Sequence, residues 1–317
     1  MRVLVTGGLG FVGWVVAARL AERGDEVVAL TRGPLPAATA PPAGVEVAAA
    51  DLRDLDALRQ VVAGGGFDGA CHLGGLARVR DSHADPAAYT EVNTGGTANL
   101  LRAVAEVPGP PPRLVLASTA AVLGGAGDGD GPPGPLAEDH PALPASPYGA
   151  SKLAAERAVA AAAEAGAVGA VTLRAFSVAG AYLGHGDADR TRILPKALAV
   201  AAGHAPHVEL NGDGSAVREL THVADLADAF ALALDAARPG THRLYHAGTG
   251  DGVTMLDLLA AVERITGRPV PTVRRPPAPE ARSVVANPAR IRAELGWRPA
   301  RSSLDRIVGD AWAAVSG

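Results

Sequence analysis

The chain has 317 residues, 48% of them hydrophobic, and a formal net charge of −4. This length and composition predict a globular protein with one large and one smaller α/β domain, and they exclude a disordered chain. The acidic balance, with a pI of about 6.1, argues against a nucleic-acid partner, and no apolar run is long enough to cross a membrane. We therefore expect a cytoplasmic protein in which the single cysteine, Cys71, is a buried strand residue.

Short apolar runs alternate with longer helical patterns over the first two-thirds of the chain. The predicted strands are 2–6, 26–30, 45–49, 69–73, 113–118 and 170–175, and the predicted helices include 11–23, 54–63, 89–106 and 148–165. Continuous apolar strands separated by helices predict an α/β fold with a Rossmann-like, doubly wound parallel sheet. The Gly- and Pro-rich segments 34–44 and 124–136 are predicted loops, and the second is long enough to be a mobile element beside a site.

A glycine-rich loop joins the first strand to the first helix. In "VLVTGGLGFVG" the strand runs into Gly7, Gly10 and Gly13 before the helix begins. Glycines at this place allow a tight turn, and backbone N–H groups can then approach a pyrophosphate at the helix N-terminus. We expect 1–176 and about 218–248 to form a dinucleotide-binding domain. A smaller C-terminal α/β substrate domain is expected in about 177–217 and 249–317.

The segment "SPYGASK" predicts a proton-transfer site. Tyr148 and Lys152 lie four residues apart at a helix start and therefore on one face of the helix. With 4 tyrosines in the chain and two lysines, chance would give about 0.03 such pairs, so the spacing is informative. A nearby ammonium lowers the pKa of a phenol, so Tyr148 is a candidate general base and acid. Upstream, Ser118 and Thr119 end a strand, where hydroxyls either bind substrate or form a local turn bond.

These features resemble the extended short-chain dehydrogenase/reductase family, and most closely its UDP-galactose 4-epimerase branch, over nearly the whole chain. The segments that carry the resemblance are "TGGLGFVG", "ADLRD", "HLGGLARV", "VNTGGTANLL", "STAAVLGG", "YGASK", "LRAFSVAGA", "GDGSAVRELTHVADLADA" and "ELGWRP". The resemblance implies an NAD(P)-dependent sugar epimerase. In the implied reaction, Tyr148 takes a proton from a sugar hydroxyl as hydride passes to a bound nicotinamide, and hydride returns to the other face of a transient 4-keto sugar.

The resemblance also implies roles for individual residues. Thr119, Tyr148 and Lys152 match the catalytic residues of the family. The implied cofactor contacts are Gly7, Gly10, Phe11, Val12, Gly13, Thr31, Arg32, Asp51, Leu52, Leu73, Gly74, Gly75, Arg78, Asn93, Ser118, Tyr148 and Lys152. Asp51 is expected to reach the adenine, and it is also a candidate to cap the helix that follows it, since the two roles do not exclude each other.

The implied nucleotide-sugar contacts depart from the family pattern in several places. These contacts are Thr119, Ser177, Arg192, Asn211, Arg218 and Glu280. Ser177 and Arg192 stand where the family has asparagines, and Asn211 stands where an aromatic side chain is usual. Arg218 matches an arginine that binds the diphosphate.

The segment "VVALTRGP" bears on the choice of cofactor. NAD-binding members of the family have an acid at the end of the second strand, where this chain has Thr31 followed by Arg32. Loss of the carboxylate removes a repulsion toward a 2′-phosphate, and an arginine can bind that phosphate, so these residues favour NADP. The family resemblance favours NAD.

Other functions remain open at this point. The first alternative is an NADPH-dependent reductase of a 4-keto nucleotide sugar with the same three catalytic residues. A dehydratase is less favoured because Ala120 and Ala121 replace an acidic pair, and a non-catalytic cofactor sensor would not need Tyr148 and Lys152. No metal site is expected, because the histidines lack partners at ligand spacing. The resemblance implies a homodimer.

Overall fold

The computed structural model describes residues 1–33, 40–124, 134–277 and 281–316. The chain forms two compact units. The first contains the described residues of 1–124, 140–175 and 227–245, and the second contains those of 125–139, 176–226 and 246–317. Residues 134–139, 218–226 and 246–248, which the sequence analysis assigned to the dinucleotide-binding domain, thus fold with the second unit. The predicted mobile element, 124–136, lies largely outside the described residues.

The strands of the described residues are β1 Arg2–Thr6, β2 Glu26–Thr31, β3 Glu46–Ala49, β4 Gly69–His72, β5 Arg113–Thr119, β6 Gly169–Ala175, β7 Ser177–Ala179, β8 Ala181–Tyr182, β9 His185–Gly186, β10 Val208–Asn211, β11 Val217–His222, β12 His242–Ala247, β13 Gly252–Thr254, β14 Thr272–Arg275 and β15 Ser283–Val284. The α-helices are α1 Phe11–Glu22, α2 Leu55–Gly65, α3 Val79–Ala84, α4 Pro86–Tyr89, α5 Gly96–Ala105, α6 Pro147–Glu164, α7 Ile193–Ala201, α8 Val223–Ala236, α9 Met255–Thr266, α10 Ala289–Leu295 and α11 Leu304–Ser316.

A seven-stranded sheet with the order β12-β6-β5-β4-β1-β2-β3 organises the first unit. The pairs that join β6, β5, β4, β1, β2 and β3 are parallel. The order reverses direction between β1 and β4, and a ligand crevice is expected at such a switch point, beyond the carboxyl ends of the strands. The Rossmann-like doubly wound fold predicted from the sequence is confirmed.

Local sequence signals account for the ends of the helices near this crevice. Ser146 caps α6 by accepting a hydrogen bond from Gly149 N–H (3.1 Å), and Pro147 occupies the first helical position. Asp54 caps α2 by accepting from Ala57 N–H (3.0 Å). The alternative role considered for Asp51, capping this helix, is therefore wrong. The predicted helix 89–106 is helical but not uniform, because Thr90–Gly95 forms a wider π-helical turn before α5.

The second unit is built on a four-stranded sheet in which β11 pairs with β7, β13 and β15. These long-range pairings keep β11 with the second unit, whereas the sequence alone suggested that it continues the first. A core from α7, α9 and α11 includes Leu198, Leu258 and Ile307, which are fully or almost fully buried. Burial of such side chains contributes about 1.5–3 kcal/mol each.

Candidate active site

The glycine loop closes tightly against the segment that follows β4. Gly7 has a φ of +66°, and a Cβ there would lie 2.9 Å from the backbone N and Cα of Gly74. A Cβ on Gly13 would lie 2.1 Å from the carbonyl oxygen of Gly7. Only glycine fits either position, so the loop must lie directly on the first turn of α1.

This arrangement fits a dinucleotide pyrophosphate. Gly10 occupies the N-cap position of α1 and has no side chain to cover the first-turn amides of Phe11, Val12 and Gly13. Uncapped N–H groups at a helix N-terminus, with the positive end of the helix dipole, are suited to bind an anion. Gly7, Gly10 and Gly13 lie together at the carboxyl end of β1, where the sequence analysis expected the cofactor.

A buried chain of hydrogen bonds links the glycine loop to α5. Gly74 N–H donates to Thr6 Oγ1 (3.0 Å), and Thr6 Oγ1 is bonded to His72 Nδ1 (2.7 Å). On its other side, His72 Nε2 is bonded to Thr97 Oγ1 (2.9 Å), whose hydroxyl donates to Asn93 O (2.6 Å). Because the Thr97 hydroxyl proton is already used, Nε2 must be the donor and Nδ1 the acceptor, as in neutral imidazole.

The environment of His72 agrees with a neutral ring. The side chain is buried, and burial followed by the nearby Lys152 lowers the pKa of His72 to about 3. This histidine is a structural link between β1 and α5, because both ring nitrogens are bonded within the protein. Cys71 beside it is also buried, and burial raises the pKa of its thiol to about 12, which confirms the expectation of an inert strand residue.

Asn93 fixes the loop after β4 to the catalytic helix. Its Oδ1 accepts from Leu76 N–H (2.8 Å), and its Nδ2 donates to Leu76 O and to Ser151 Oγ (3.0 Å each). Ser151 Oγ in turn donates to Tyr148 O (2.8 Å). Asn93 was predicted to contact the cofactor, but the side chain is engaged within the protein and thus braces Gly75 and Leu76 against α6.

Tyr148 and Lys152 lie on one face of the first turns of α6, as their spacing predicted. The ring of Tyr148 meets that of Tyr89 edge-on, with centroids 6.2 Å apart. The hydroxyl of Tyr89 donates to Arg78 O (2.6 Å), so the residue that packs against the Tyr148 ring also fixes the backbone of Arg78. Lys152 is buried, and burial lowers the pKa of its ammonium to about 8, against the opposing effect of the Glu156 carboxylate. The ammonium therefore stays largely protonated at neutral pH, which favours the phenolate of a neighbouring tyrosine.

The two hydroxyl residues at the end of β5 have different partners. Thr119 Oγ1 accepts from Ala121 N–H (3.1 Å) and caps the short 3₁₀ turn Ala120–Leu123, which leaves its own proton available to donate. Ser118 Oγ instead donates to Glu156 Oε1 (2.5 Å) on α6. The local turn bond and the proposed substrate role of Thr119 are therefore compatible.

The part of the expected cofactor site that would bind the adenosine has more charged side chains than the glycine loop has. Asp51 accepts from the backbone and guanidinium of Arg53 (2.7 to 3.0 Å), and this pairing is the largest cause of its lowered pKa, with a smaller effect from Arg32. Arg32 is exposed, and Thr31 Oγ1 donates to Gly33 O (3.3 Å). Leu52 packs over Gly74 and Gly96, where added Cβ atoms would come within 2.8 Å of it.

Apart from Thr119, which lies in the first unit, the described residues predicted to bind the nucleotide sugar lie in the second unit. Ser177 on β7 pairs with Leu220 on β11, and Arg218 lies two residues before Leu220 on the same strand. Arg192 is the N-cap residue that precedes α7, and it forms ion pairs with Asp187 (3.1 Å) and Asp189 (3.9 Å). Asn211 ends β10. Glu280 lies outside the described residues.

Two buried carboxylates, Glu156 and Glu219, were not predicted from the sequence. Glu156 on α6 is paired with Arg174 on β6, and Glu219 on β11 accepts from Gly250 N–H (3.1 Å) and Ala286 N–H (2.9 Å). Burial raises the pKa of Glu219 to about 7. Glu156 had a local signal, since it follows Lys152 by one helical turn. Glu219 had none, because its partners are distant in sequence.

In the described part of the chain, no helix is long and apolar enough to cross a membrane. Within the same residues, no three side chains of the His, Cys, Asp or Glu type form a group that could hold a metal ion.

Comparison with known proteins identifies the family. Residues 3–248 match the model of the "NAD dependent epimerase/dehydratase family". A UDP-glucose 4-epimerase of Streptomyces lividans is 38% identical, with 98% of this chain and 95% of that protein covered. The crystal structure of a UDP-glucose 4-epimerase from Stenotrophomonas maltophila, with bound NAD and formylated UDP-arabinopyranose, has a TM-score of 0.88 at 29% identity over 99% of this chain and 97% of that one.

A third similar protein is the UDP-glucose 4-epimerase of Bifidobacterium longum in complex with NAD⁺ and UDP. Its TM-score is 0.87 at 27% identity, with 100% of this chain and 98% of that chain covered. The similarity thus extends across both units and includes the strand–glycine loop–helix arrangement that fits a nicotinamide dinucleotide. The chain belongs to the NAD dependent epimerase/dehydratase family, as its sequence motifs predicted.

Proposed function

We propose that this protein is a nucleotide-sugar 4-epimerase that interconverts UDP-glucose and UDP-galactose through a transient 4-keto sugar. The observation that carries the proposal is similarity to UDP-glucose 4-epimerases over 98% of the chain, in a chain that keeps Thr119, Tyr148 and Lys152. A family member that only senses its cofactor would not need a phenol and an ammonium on one helical face.

In this proposal the two units have different roles: residues of the first unit bind the cofactor, and residues of the second unit bind the nucleotide sugar. In the first unit, the amides of Phe11, Val12 and Gly13 would hold the pyrophosphate beside the turn that Gly7 and Gly10 form, and Asp51 and Leu52 would lie at the adenine. Leu73, Gly74, Gly75, Arg78, Asn93 and Ser118 would complete the cofactor site, in most cases through their backbone. When bound, the nicotinamide supplies a hydride acceptor that also returns the hydride.

The protein residues supply the proton chemistry. Tyr148, as phenolate, accepts the proton of the sugar 4-hydroxyl and later gives it back, while Thr119 donates a hydrogen bond to the same oxygen. The Lys152 ammonium keeps the phenolate form accessible at neutral pH. Burial of Lys152 strengthens this effect, because a charge acts more strongly where water is excluded.

In the second unit, Arg218 is proposed to bind the diphosphate, and Ser177, Arg192 and Asn211 are proposed to lie along the nucleotide sugar. Arginine suits this role because its planar fork binds two phosphate oxygens at once. Arg192 would have to leave Asp187 to reach a ligand, so a direct contact from Arg192 carries an energetic cost. Glu280 is retained as a proposed ribose contact from the sequence alone.

We propose NAD as the resident cofactor. The solved relatives with TM-scores of 0.88 and 0.87 hold NAD, and the preference for NADP that Thr31 and Arg32 suggested finds no support among them. In this chain Arg32 lies close enough to Asp51 to lower its pKa. The NADPH-dependent reductase is accordingly not favoured.

We further propose a homodimer and a cytoplasmic location. The proposed homodimer rests on family resemblance. The second rests on the single, buried Cys71, which offers no internal disulfide. Sedimentation analysis at micromolar protein concentration tests the dimer, and a single monomeric species would refute it.

The experiment that tests the proposed function is incubation of the purified protein with UDP-galactose, without added cofactor, followed by separation of the sugar nucleotides. We expect UDP-glucose to form. The Tyr148→Phe variant should bind the same nucleotides but lose at least about a hundredfold in kcat, in the range that general acid–base groups contribute. A wild-type protein that leaves UDP-galactose unchanged would contradict the proposal.

A further inference from the structure

A buried cluster of charge lies behind the catalytic residues of the first unit. Glu156 Oε1 accepts from Arg174 Nε (2.9 Å) and Glu156 Oε2 accepts from Arg174 Nη2 (2.8 Å), so the pair is bidentate. Both side chains are about 5% exposed. Ser118 Oγ donates to the same Glu156 Oε1. One carboxylate therefore joins three elements, α6, β5 and β6.

The position of this cluster connects it to the reaction. Ser118 immediately precedes Thr119, so the bond to Glu156 fixes the end of β5 that carries the Thr119 hydroxyl. On α6, Glu156 follows Lys152 by four residues and Tyr148 by eight, so the three side chains share one face. Glu156 is thus bonded to the strand that presents one catalytic group and belongs to the helix that presents the other two.

Stability alone does not explain a buried ion pair. Replacement of such a pair by apolar side chains is often neutral or stabilising, because the desolvation cost offsets the attraction. On the same helix, Ala155 and Val159 are fully buried apolar residues. A carboxylate in this place must therefore serve something that an apolar residue could not, and the charged group one turn away is Lys152.

The charged and titratable groups around Lys152 come from several elements. Glu156 lies on its own helix, and Arg174 on β6 neutralises part of the Glu156 charge. His72 on β4 is neutral, and the Tyr89 ring on α4 packs against Tyr148. His242 on β12 has a pKa lowered by burial, with opposing effects from Glu156 and Glu164. Of these groups, Glu156 is the one that raises the pKa of Lys152 against the effect of burial.

We propose that Glu156 is a positioning residue of the epimerase: its carboxylate ties the strand end that carries Thr119 to α6 and holds the charge on the Lys152 ammonium. This inference rests on the proposed function for its catalytic consequence, but not for its effect on Lys152. Glu156 touches neither sugar nor cofactor and acts through Ser118 and Lys152.

The first test is pH-dependent labelling of lysine, which needs no substrate. Only an unprotonated amine reacts with acetic anhydride, and the chain has two lysines, Lys152 and Lys196, so mass spectrometry resolves both. In Glu156→Gln, the pH of half-maximal labelling of Lys152 should fall by about one unit, because a nearby opposite charge shifts a pKa by this order. Lys196, which is paired with Glu209 in the second unit, is the internal control and should not change.

The second test is kinetic. In Glu156→Gln, the alkaline limb of the kcat profile should move to lower pH with the labelling of Lys152, and KM for the sugar nucleotide should stay the same. Ser118→Ala removes the side-chain bond to Glu156 but keeps the backbone that is proposed to lie at the cofactor, so it should lower kcat about tenfold without a change in Lys152 labelling. If Glu156→Gln does not fold, Glu156→Gln with Arg174→Gln removes the pair together. A downward shift is again expected because Glu156 raises the pKa of Lys152, but it should be smaller because the Arg174 charge is lost with the carboxylate.

A matched control separates these effects from loss of stability. Asp225→Asn removes a buried carboxylate of the second unit that accepts from Ser302 Oγ (2.6 Å) and Arg301 N–H (2.8 Å). It should lower the Tm but leave the labelling of Lys152 unchanged. If the pH dependence of Lys152 labelling is unchanged in the Glu156 variants, Glu156 does not hold the charge on Lys152. If Ser118→Ala has the kcat of the wild type, the bond between Ser118 and Glu156 does not position Thr119. A wild-type protein without epimerase activity would refute the proposed function, whereas the labelling would still decide the role of Glu156.

Discussion

The most specific prediction concerns Gly13, because two effects of one substitution oppose each other there. Gly13→Ala adds a methyl group 2.1 Å from the carbonyl oxygen of Gly7 and 2.8 Å from its carbon. Replacement of a helical glycine by alanine normally stabilises a protein by about 0.4–1 kcal/mol. Overpacking costs about 1–3 kcal/mol, and here the upper end applies because the obstructing atoms are backbone. The clash should therefore prevail by about 2 kcal/mol.

The net cost is a loss of folding stability. The glycine loop must also move to relieve the clash, and this movement should weaken cofactor binding; the gain from alanine acts on the unfolded chain and does not offset that loss. A binding loss of about 2 kcal/mol, within the range of overpacking costs, corresponds to roughly a thirtyfold weaker Kd. Calorimetric titration of the nucleotide-free protein with NAD measures it. Gly64→Ala is the control: Gly64 lies on α2, and an added Cβ would meet nothing within 4 Å. That variant should bind NAD normally and gain a little stability. Wild-type affinity in Gly13→Ala would refute the assignment of this loop to the cofactor.

Three further predictions concern buried groups. The pKa of His72 is lowered from 6.5 to about 3, so the unfolded state binds more protons than the folded state between these pH values. Folding stability should therefore fall by on the order of 1 kcal/mol for each pH unit below pH 6.5. Urea unfolding of His72→Gln should show that this pH dependence is lost. The pKa of Glu219 is raised from 4.5 to about 7, so its contribution is present at low pH and lost as pH rises from 4.5 to 7. The folding stability of Glu219→Gln relative to wild type should therefore increase as the pH rises from 4.5 to 7. A relative stability that increases as the pH falls would contradict the assignment. Cys71 should resist iodoacetamide at pH 8 until urea unfolds the protein, and rapid labelling of the native protein would contradict its burial.

Much of the first unit could be predicted from the sequence because its signals are local. The strands around Gly7 and Thr119, and the helical spacing of Tyr148 and Lys152, each depend on a few adjacent residues. Their meeting at one edge of the sheet then follows from the parallel order of the strands.

Other parts of the site could not be predicted because they depend on distant partners. His72 bonds to Thr6, 66 residues away, and Asn93 to Ser151, 58 residues away. No spacing rule reveals such pairs. The placement of β11 in the second unit depends on three long-range strand pairings, for the same reason. The sequence alone left NAD and NADP open, because Thr31 and Arg32 favoured NADP whereas the family resemblance favoured NAD, and the similar solved structures hold NAD.

One isotope experiment tests the central claim most directly. UDP-galactose with deuterium at C4 of the sugar is incubated with the protein as purified, with no added nicotinamide cofactor, and the product is analysed by mass spectrometry and NMR. An epimerase that removes and returns the same hydride should give UDP-glucose that retains deuterium at C4. Loss of the label, or a product that forms only in proportion to added NADPH, would contradict the assignment of this protein as a nucleotide-sugar 4-epimerase.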